Sequence, residues 1–211
     1  MQKLTMISVP DVRISQLLAA RLCHELVGPI TAVANGADLL CDDGVETDQE
    51  TLALVGESGR RAASRLEFFR FAYGFAGEGR AAGPSPGELA DEYFKGSRIL
   101  CRYGDQVRSL PLIQQQLACN LLVLGAEALG RGGLIAVQAT DYGIRLEAMG
   151  EGVSIARKQS AALTLTTPVA ELTARTVHGY FTGLLARTQG WRLAEETTPG
   201  RLYVTSLGAT R

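Results

Sequence analysis

Arg21-Leu22-Cys23-His24-Glu25-Leu26-Val27-Gly28-Pro29-Ile30 holds one of the chain's two histidines, an acid directly after it and a proline five residues on. The residues around it predict a helix from Val12 to Leu40. At about 100° per residue, Leu22, Leu26, Pro29, Val33, Gly36 and Leu40 recur by threes and fours as a heptad seam. His24 falls about 200° from Leu22, on the far side of that seam. Gly28, Thr31 and Asn35 share its face. The pattern therefore presents an imidazole to solvent on a face of small and polar residues. Such a ring is a candidate nucleophile: one nitrogen is free to attack, and Glu25 can accept a hydrogen bond from the other. That bond would fix the tautomer and stabilise positive charge as the ring reacts. Pro29 has no amide to give the carbonyl of Glu25 and crowds that turn, so the helix is expected to bend and loosen there.

Working outward, Asp42-Asp43-Gly44 signals a turn and Thr47-Asp48-Gln49-Glu50 a capping box. They open a second helix, from Asp48 to Tyr73, along which Leu52, Val55, Gly59, Ala62, Leu66, Phe69 and Tyr73 repeat by three and four. Two such helices joined by a short loop form an antiparallel hairpin. A lone hairpin buries too little apolar area to be stable. Pairing two hairpins into a four-helix bundle buries both seams and implies a homodimer; the alternative is that the hairpin packs on the rest of its own chain. With the turn near Gly44, His24 lies level with roughly residue 65. Arg61, Ser64, Arg65 and Phe68 then stand beside Leu17, Arg21, Gly28, Thr31 and Asn35 as a candidate docking surface for a protein that reacts with His24. Arg21, one turn before His24, is expected to face an acidic rim on that partner.

The hairpin accounts for residues 1–76, a glycine-, alanine- and proline-rich linker for 77–87, and a second domain for 88–211. In that domain Ser85-Pro86-Gly87-Glu88 opens a short helix to Phe94. A strand is expected over Ser97–Tyr103, an apolar helix over Leu110–Gly130 and a β-hairpin over Gly133–Met149, turning at Asp141-Tyr142-Gly143. Thr167-Pro168 is read as the start of a helix reaching Thr188, followed by strands over Trp191–Glu195 and Arg201–Ser206. The fold class is α+β, with a mostly antiparallel sheet under a few helices. Across 211 residues, 46% hydrophobic composition suffices for a core, and a formal net charge of -1 argues against nucleic acid as a bulk partner. No signal peptide is expected, and no apolar run is read as reaching the ~18–20 residues of a membrane span. The four cysteines form no C-x-x-C pair and read as small hydrophobes in a reducing compartment. The expectation is a cytoplasmic protein with no membrane partner and no metal site. His178 and Trp191 read as structural residues. Cys23 points to a different face from His24.

His24-Glu25-Leu26-Val27-Gly28-Pro29-Ile30 resembles the H-box of two-component sensor kinases, H-[DE]-L-x-x-P-L. Over Arg21–Pro29, Asn35-Gly36 and Ala63–Arg70, and again over Tyr180–Ala186 and Gly190-Trp191-Arg192, the chain is similar to the ChpT-type histidine phosphotransferases of bacterial phosphorelays. The resemblance implies a helical hairpin dimerising into a four-helix bundle. To it is joined a C-terminal α/β sandwich resembling a degenerate histidine-kinase ATPase (Bergerat-type) domain, in a family that does not use ATP. Asn120-Leu121-Leu122-Val123-Leu124-Gly125-Ala126 resembles the kinase N-box, N-L-L-x-N-A, with Leu124 in place of the second, metal-holding Asn. Ala148-Met149-Gly150-Glu151-Gly152 resembles the D-x-G-x-G box, with Ala148 for the adenine-reading Asp. Both changes remove polar groups that orient a nucleotide. By the same resemblance His24 accepts a phosphoryl group from the receiver-domain phospho-aspartate of a hybrid histidine kinase and yields it to a response-regulator receiver. Glu25 would act as acid/base or orienting group, Mg²⁺ would sit on the receiver, and the chain would need no cofactor of its own. Competing readings are an ATP-dependent histidine kinase and a non-catalytic dimeric adaptor that binds receivers.

Overall fold

A computed structural model describes residues 9–41, 49–74, 83–141 and 143–208. Helix α1 (Val9–Cys41) runs unbroken through Pro29 and lies antiparallel along α2 (Gln49–Tyr73). Gly36 meets Val55, Val33 meets Gly59, and Glu25 meets Arg65, so numbers rise on one helix as they fall on the other. The α1 seam faces α2: Leu22, Leu26, Pro29, Val33 and Leu40 are half-buried and Gly36 is buried. A side chain at Gly36 would run into Val55, so the missing Cβ sets how closely the helices approach. The Asp42–Gly44 turn, Thr47 and Asp48 of the capping box, residues 77–82 of the linker and Tyr142 lie outside the described residues.

Two expectations about these helices change. Leu52 and Leu66 do not join the seam; both are about half exposed, at 49%. Val55 and Gly59 meet α1, while Phe69 is buried in the core. Second, α1 is long and apolar enough over Val12–Cys41 to cross a membrane by length and composition, contrary to the sequence reading. The same helix carries Arg13, Arg21, Glu25 and Asp38, and ionised groups at bilayer depth are costly.

The hairpin does pack on its own chain, at one end. The last turns of α2 carry Phe68, Phe69, Phe71 and Ala72 into one continuous core with Leu117, Leu121 and Leu124 of α5 (Leu112–Ala128). A helix that ends inside a core needs partners for its last carbonyls. Here α5 supplies them: Gln116 Nε2 donates to the carbonyls of Phe71 (2.9 Å) and Gly74 (2.5 Å), and Asn120 Nδ2 donates to that of Ala72 (2.8 Å).

Five strands follow the order β1-β2-β3-β5-β4. Strand β1 (Ile99–Tyr103) is parallel to β2 (Gly133–Thr140), with a short helix α4 (Asp105–Arg108) and α5 forming the crossover that a parallel pair requires. The other pairs, with β3 (Gly143–Met149), β4 (Trp191–Thr198) and β5 (Arg201–Gly208), are antiparallel. On β3, Ile144, Leu146 and Ala148 are buried while Arg145 is exposed and Glu147 half-exposed, the alternation of a sheet covered on one face. Helix α3 (Pro86–Phe94) has the predicted capping box: Ser85 Oγ accepts from the Glu88 amide at 3.3 Å, and Glu88 Oε2 accepts from the Ser85 amide at 2.7 Å.

The predicted helix from Thr167 to Thr188 is instead a 3-10 turn (Val169–Glu171) and helix α7 (Val177–Thr188), preceded by an unforeseen helix α6 (Arg157–Leu163). Thr173 and Thr176 cause the break. Each amide donates to the other's hydroxyl, at 3.0 and 3.3 Å, an alternative to helical bonding that threonine offers locally. Helix α6 begins at Ala156 without a side-chain cap, so no start signal marks it.

His178, on α7, is fully buried. Its Nε2 lies 3.0 Å from the Asn120 carbonyl and its Nδ1 3.1 Å from Tyr73 Oη. The carbonyl can only accept, so Nε2 carries the hydrogen and Nδ1 accepts from the Tyr73 hydroxyl. Burial, reinforced by nearby Arg21, lowers its pKa to about 3. The unfolded histidine takes up a proton near the ordinary value of about 6.5. The neutral ring's contribution is therefore complete above that pH and is lost as pH falls towards the folded value. Urea midpoints are expected to drop between pH 7 and 4, and to drop less steeply in His178→Gln. Parallel midpoint profiles for the two proteins would contradict this.

Candidate functional site around His24

His24 is exposed on α1. A shallow groove of about 410 Å³ runs beside it, lined by His24, Glu25, Gly28, Pro29, Ala32, Ser58, Arg61 and Arg65. Gly28, one turn on, leaves the approach open: a Cβ there would meet nothing within 4 Å. The hairpin register thus brings His24, Glu25 and Gly28 together with Arg61 and Arg65. Thr31 and Asn35 are exposed further along α1, and Leu17 is half-buried before it. Ser64 is half-buried, its Oγ donating to the Arg61 carbonyl at 3.1 Å. Arg61 is exposed and paired with Glu57 at 2.9 Å.

Arg65 organises the groove. Its Nη1 contacts the Glu25 carboxylate and lies 3.4 Å from the Glu25 carbonyl oxygen. That carbonyl is the one Pro29 cannot serve. The backbone group freed by proline is thus covered by a guanidinium from α2, and the expected loosening is answered across the hairpin. The same guanidinium lies 5.5 Å from the centroid of Tyr93, which adds a cation–π contact.

Three expectations need correction. Phe68 is not a docking residue: it is 0% exposed and stacks on Tyr93 with centroids 4.3 Å apart. It lies just beyond the point where α2 enters the core. Arg21 does not face an outside rim. It is buried, its Nη2 contacting Glu127 and its Nε donating to Tyr73 Oη at 3.0 Å. Burial is the largest influence on Arg21 and opposes its charge, but Glu127, Tyr73 and Glu25 together outweigh it and the guanidinium stays protonated. Finally, the Glu25 carboxylate is engaged by Arg65, with Arg21 at 3.9 Å, rather than by the imidazole. Adjacent helical residues point about 100° apart, which turns Glu25 towards α2 and His24 away from it.

Tyr73, Tyr93, Glu127 and His178 were missed as neighbours of this region. No spacing relates position 127 to position 21; only the seating of α2 on α5 joins them. Leu124 and Ala148, where the nucleotide boxes depart from the kinase pattern, are 1% and 0% exposed. Asn120 is turned to the end of α2. A second groove, of about 400 Å³, passes Leu124 and Glu127 and is lined also by Ser154, Gln159 and Arg175, but not by Ala148.

A family model described as "Histidine phosphotransferase C-terminal domain" matches residues 87–200. The chain is 30% identical over 189 residues to "Protein phosphotransferase ChpT" of Brucella abortus (strain 2308), covering 86% of this chain and 89% of that one. A solved "Bacterial Phosphotransferase" superposes with a TM-score of 0.73 at 27% identity, covering 96% of this chain and 98% of the other. The sheet domain, the hairpin and their arrangement are all spanned by these matches, and the chain belongs to the ChpT-like histidine phosphotransferase family.

Proposed function

We propose that this histidine phosphotransferase carries a phosphoryl group on His24 in a bacterial two-component phosphorelay. The donor is the phospho-aspartate of a hybrid histidine kinase's receiver domain, and the acceptor is the aspartate of a response-regulator receiver. The observation that carries the reading is His24 itself: an exposed imidazole beside an open glycine, on a groove walled by Glu25, Arg61 and Arg65.

The free ring nitrogen attacks phosphorus in line. The P–O bond to aspartate breaks, the carboxylate leaves with its electron pair, and a P–N bond forms on His24. The reverse sequence on a second receiver completes the relay. Mg²⁺ and donors on the receiver hold the transferring oxygens, so this chain needs no cofactor of its own. Glu25 orients the ring or accepts its remaining proton. For that, the carboxylate must turn from Arg65 to the imidazole, and an acidic receiver rim docking on Arg61 and Arg65 would compete for the guanidinium. Leu17, Gly28, Thr31, Asn35 and Ser64 complete the docking surface. The buried Leu124 and Ala148 and the structural use of Asn120 support transfer without ATP. The exposed Val27, Ile30, Leu39, Leu52 and Leu66 support a homodimer through the hairpin. Such a protein would work in the cytoplasm, without nucleic acid or membrane as partner.

Incubation with radiolabelled ATP alone, and separately with a labelled phospho-receiver, tests the reading. Acid-labile label is expected only from the receiver, and none in His24→Ala. Label from ATP alone would mark an autokinase. Receiver binding with undiminished transfer in His24→Ala, or with none in the wild type, would favour another nucleophile or a plain adaptor. Ile30→Glu puts a charge into the exposed apolar stripe and is expected to convert a dimer to a monomer in sedimentation equilibrium; a wild-type monomer would sink the bundle.

A further inference from the structure

Arg21 stands one turn before His24, yet its guanidinium belongs to both halves of the molecule. Nη2 contacts the carboxylate of Glu127 on α5 and lies 3.9 Å from Oε1 of Glu25. Nε donates to Tyr73 Oη at 3.0 Å. The Tyr73 hydroxyl hydrogen is committed to His178 Nδ1, and His178 in turn to the Asn120 carbonyl. The hydrogen bonds run in one direction, from Arg21 through Tyr73 and His178 to α5, and Tyr73 has only its lone pairs to offer Arg21. Glu127 is steadied from the other side by Gln159 Nε2 of α6 at 3.0 Å. Two turns earlier, Arg13 donates from Nε and Nη2 to the carbonyls of Val169 and Leu172, at 2.9 and 2.8 Å. One end of α1 is therefore tethered to the sheet domain at two arginines, and the second tether adjoins the carboxylate next to His24.

We propose that Glu127 and Arg21 are positioning residues for the reaction at His24: Glu127 draws the Arg21 guanidinium away from Glu25, leaving that carboxylate with one close guanidinium, Arg65, instead of two. The proposal rests on His24 being the phosphoryl acceptor. Without the charge of Glu127, the nearest carboxylate for the buried guanidinium is Glu25, and a small side-chain rotation closes the 3.9 Å separation. Charge-assisted bonds to two guanidiniums occupy more of the carboxylate's lone pairs and bind it more firmly than one. Glu25 then turns to the imidazole less readily. The sheet domain thereby acts on a reaction whose nucleophile and docking surface lie on the hairpin.

The test is a double-mutant cycle on the full chain with two phosphoryl donors. Phosphoramidate reads His24 alone: its P–N bond breaks, a P–N bond to the ring forms, and ammonia leaves with the proton the ring sheds. A labelled phospho-receiver reads the relay. Glu127→Gln, which keeps shape and removes charge, is expected to slow both by about tenfold, a small share of the usual acid–base contribution. The receiver concentration at half-maximal rate should stay unchanged. In a Glu25→Gln or an Arg21→Met background, Glu127→Gln should have no further effect, because its action passes through those groups. Wild-type rates with phosphoramidate in Glu127→Gln would overturn the proposal. So would an equal, additive loss in the Glu25→Gln background, which would mark Glu127 as structural, or an effect seen only in the half-saturating concentration. A failure of wild-type protein to react with any receiver, with the phosphoramidate pattern intact, would reject the relay and leave the positioning role standing. A His24 inert to phosphoramidate would reject both.

Discussion

A helix that ends inside a core must find partners for its last carbonyls, and α2 finds them on α5. Gln116 and Asn120 bond the carbonyls of Phe71, Gly74 and Ala72. An unpaired buried carbonyl costs on the order of 1–3 kcal/mol, so these bonds penalise any other seating of α2 on the sheet domain. The register of the hairpin then decides what α1 can reach. Arg21 falls opposite Tyr73 and beside Glu127, Glu25 falls opposite Arg65, and His24 is left on the side turned to solvent. The exposed imidazole and the buried guanidinium one turn before it are consequences of the same seating.

That seating also divides the hairpin into two kinds of surface. Towards α5, Phe68, Phe69 and Phe71 of α2 are enclosed, and α1 is held by Arg13 and Arg21. Beyond Glu25 the helices contact each other but carry apolar residues into solvent: Val27, Ile30 and Leu39 on one, Leu52 and Leu54 on the other. Val27 and Ile30, three positions apart, share one face of α1. His24 lies where the tethered part gives way to the uncovered part. It is thus rigidly supported on one side and open to approach on the other, an arrangement suited to a side chain that must meet large partners repeatedly.

Periodicity made the hairpin legible, because a seam along two helices is a local property of the chain. The faces of His24, Gly28, Thr31 and Asn35 followed from the same arithmetic, and the level of Arg65 followed from a shared helical rise. The strands β2 and β3 were legible through alternation and a turn, and α3 through its capping box. What failed was what depended on distant contact. Phe68 and Arg21 were placed on an outer surface because the hairpin was read without the domain it enters. Glu25 was assigned to His24 as a sequence neighbour, whereas its carboxylate is set by an arginine 40 positions away. Helix α6 has no cap to announce it, and the threonine pair at 173 and 176 breaks the helix that the proline would otherwise start.

The boxes that resemble nucleotide-binding motifs acquire a different physical meaning in this setting. A polar residue that loses its ligand must find a protein partner or be replaced, since an unsatisfied polar group in a core is destabilising. Leu124 and Ala148 are buried, and each adds apolar surface to the core. Asn120 is engaged within the protein, its side-chain Nδ2 capping α2 and its backbone carbonyl accepting from His178. Gln115 of α5 turns to the sheet domain, bonding Tyr103 and the carbonyls of Arg108 and Leu110, but three other polar side chains of the helix face the hairpin. Gln116 and Asn120 end α2, and Glu127 holds Arg21. Helix α5 therefore serves to bind the hairpin that bears His24. The physical basis is the economy of buried hydrogen bonds: Gln116 and Asn120 meet backbone carbonyls at the end of α2, and Glu127 meets the charge of Arg21 on α1.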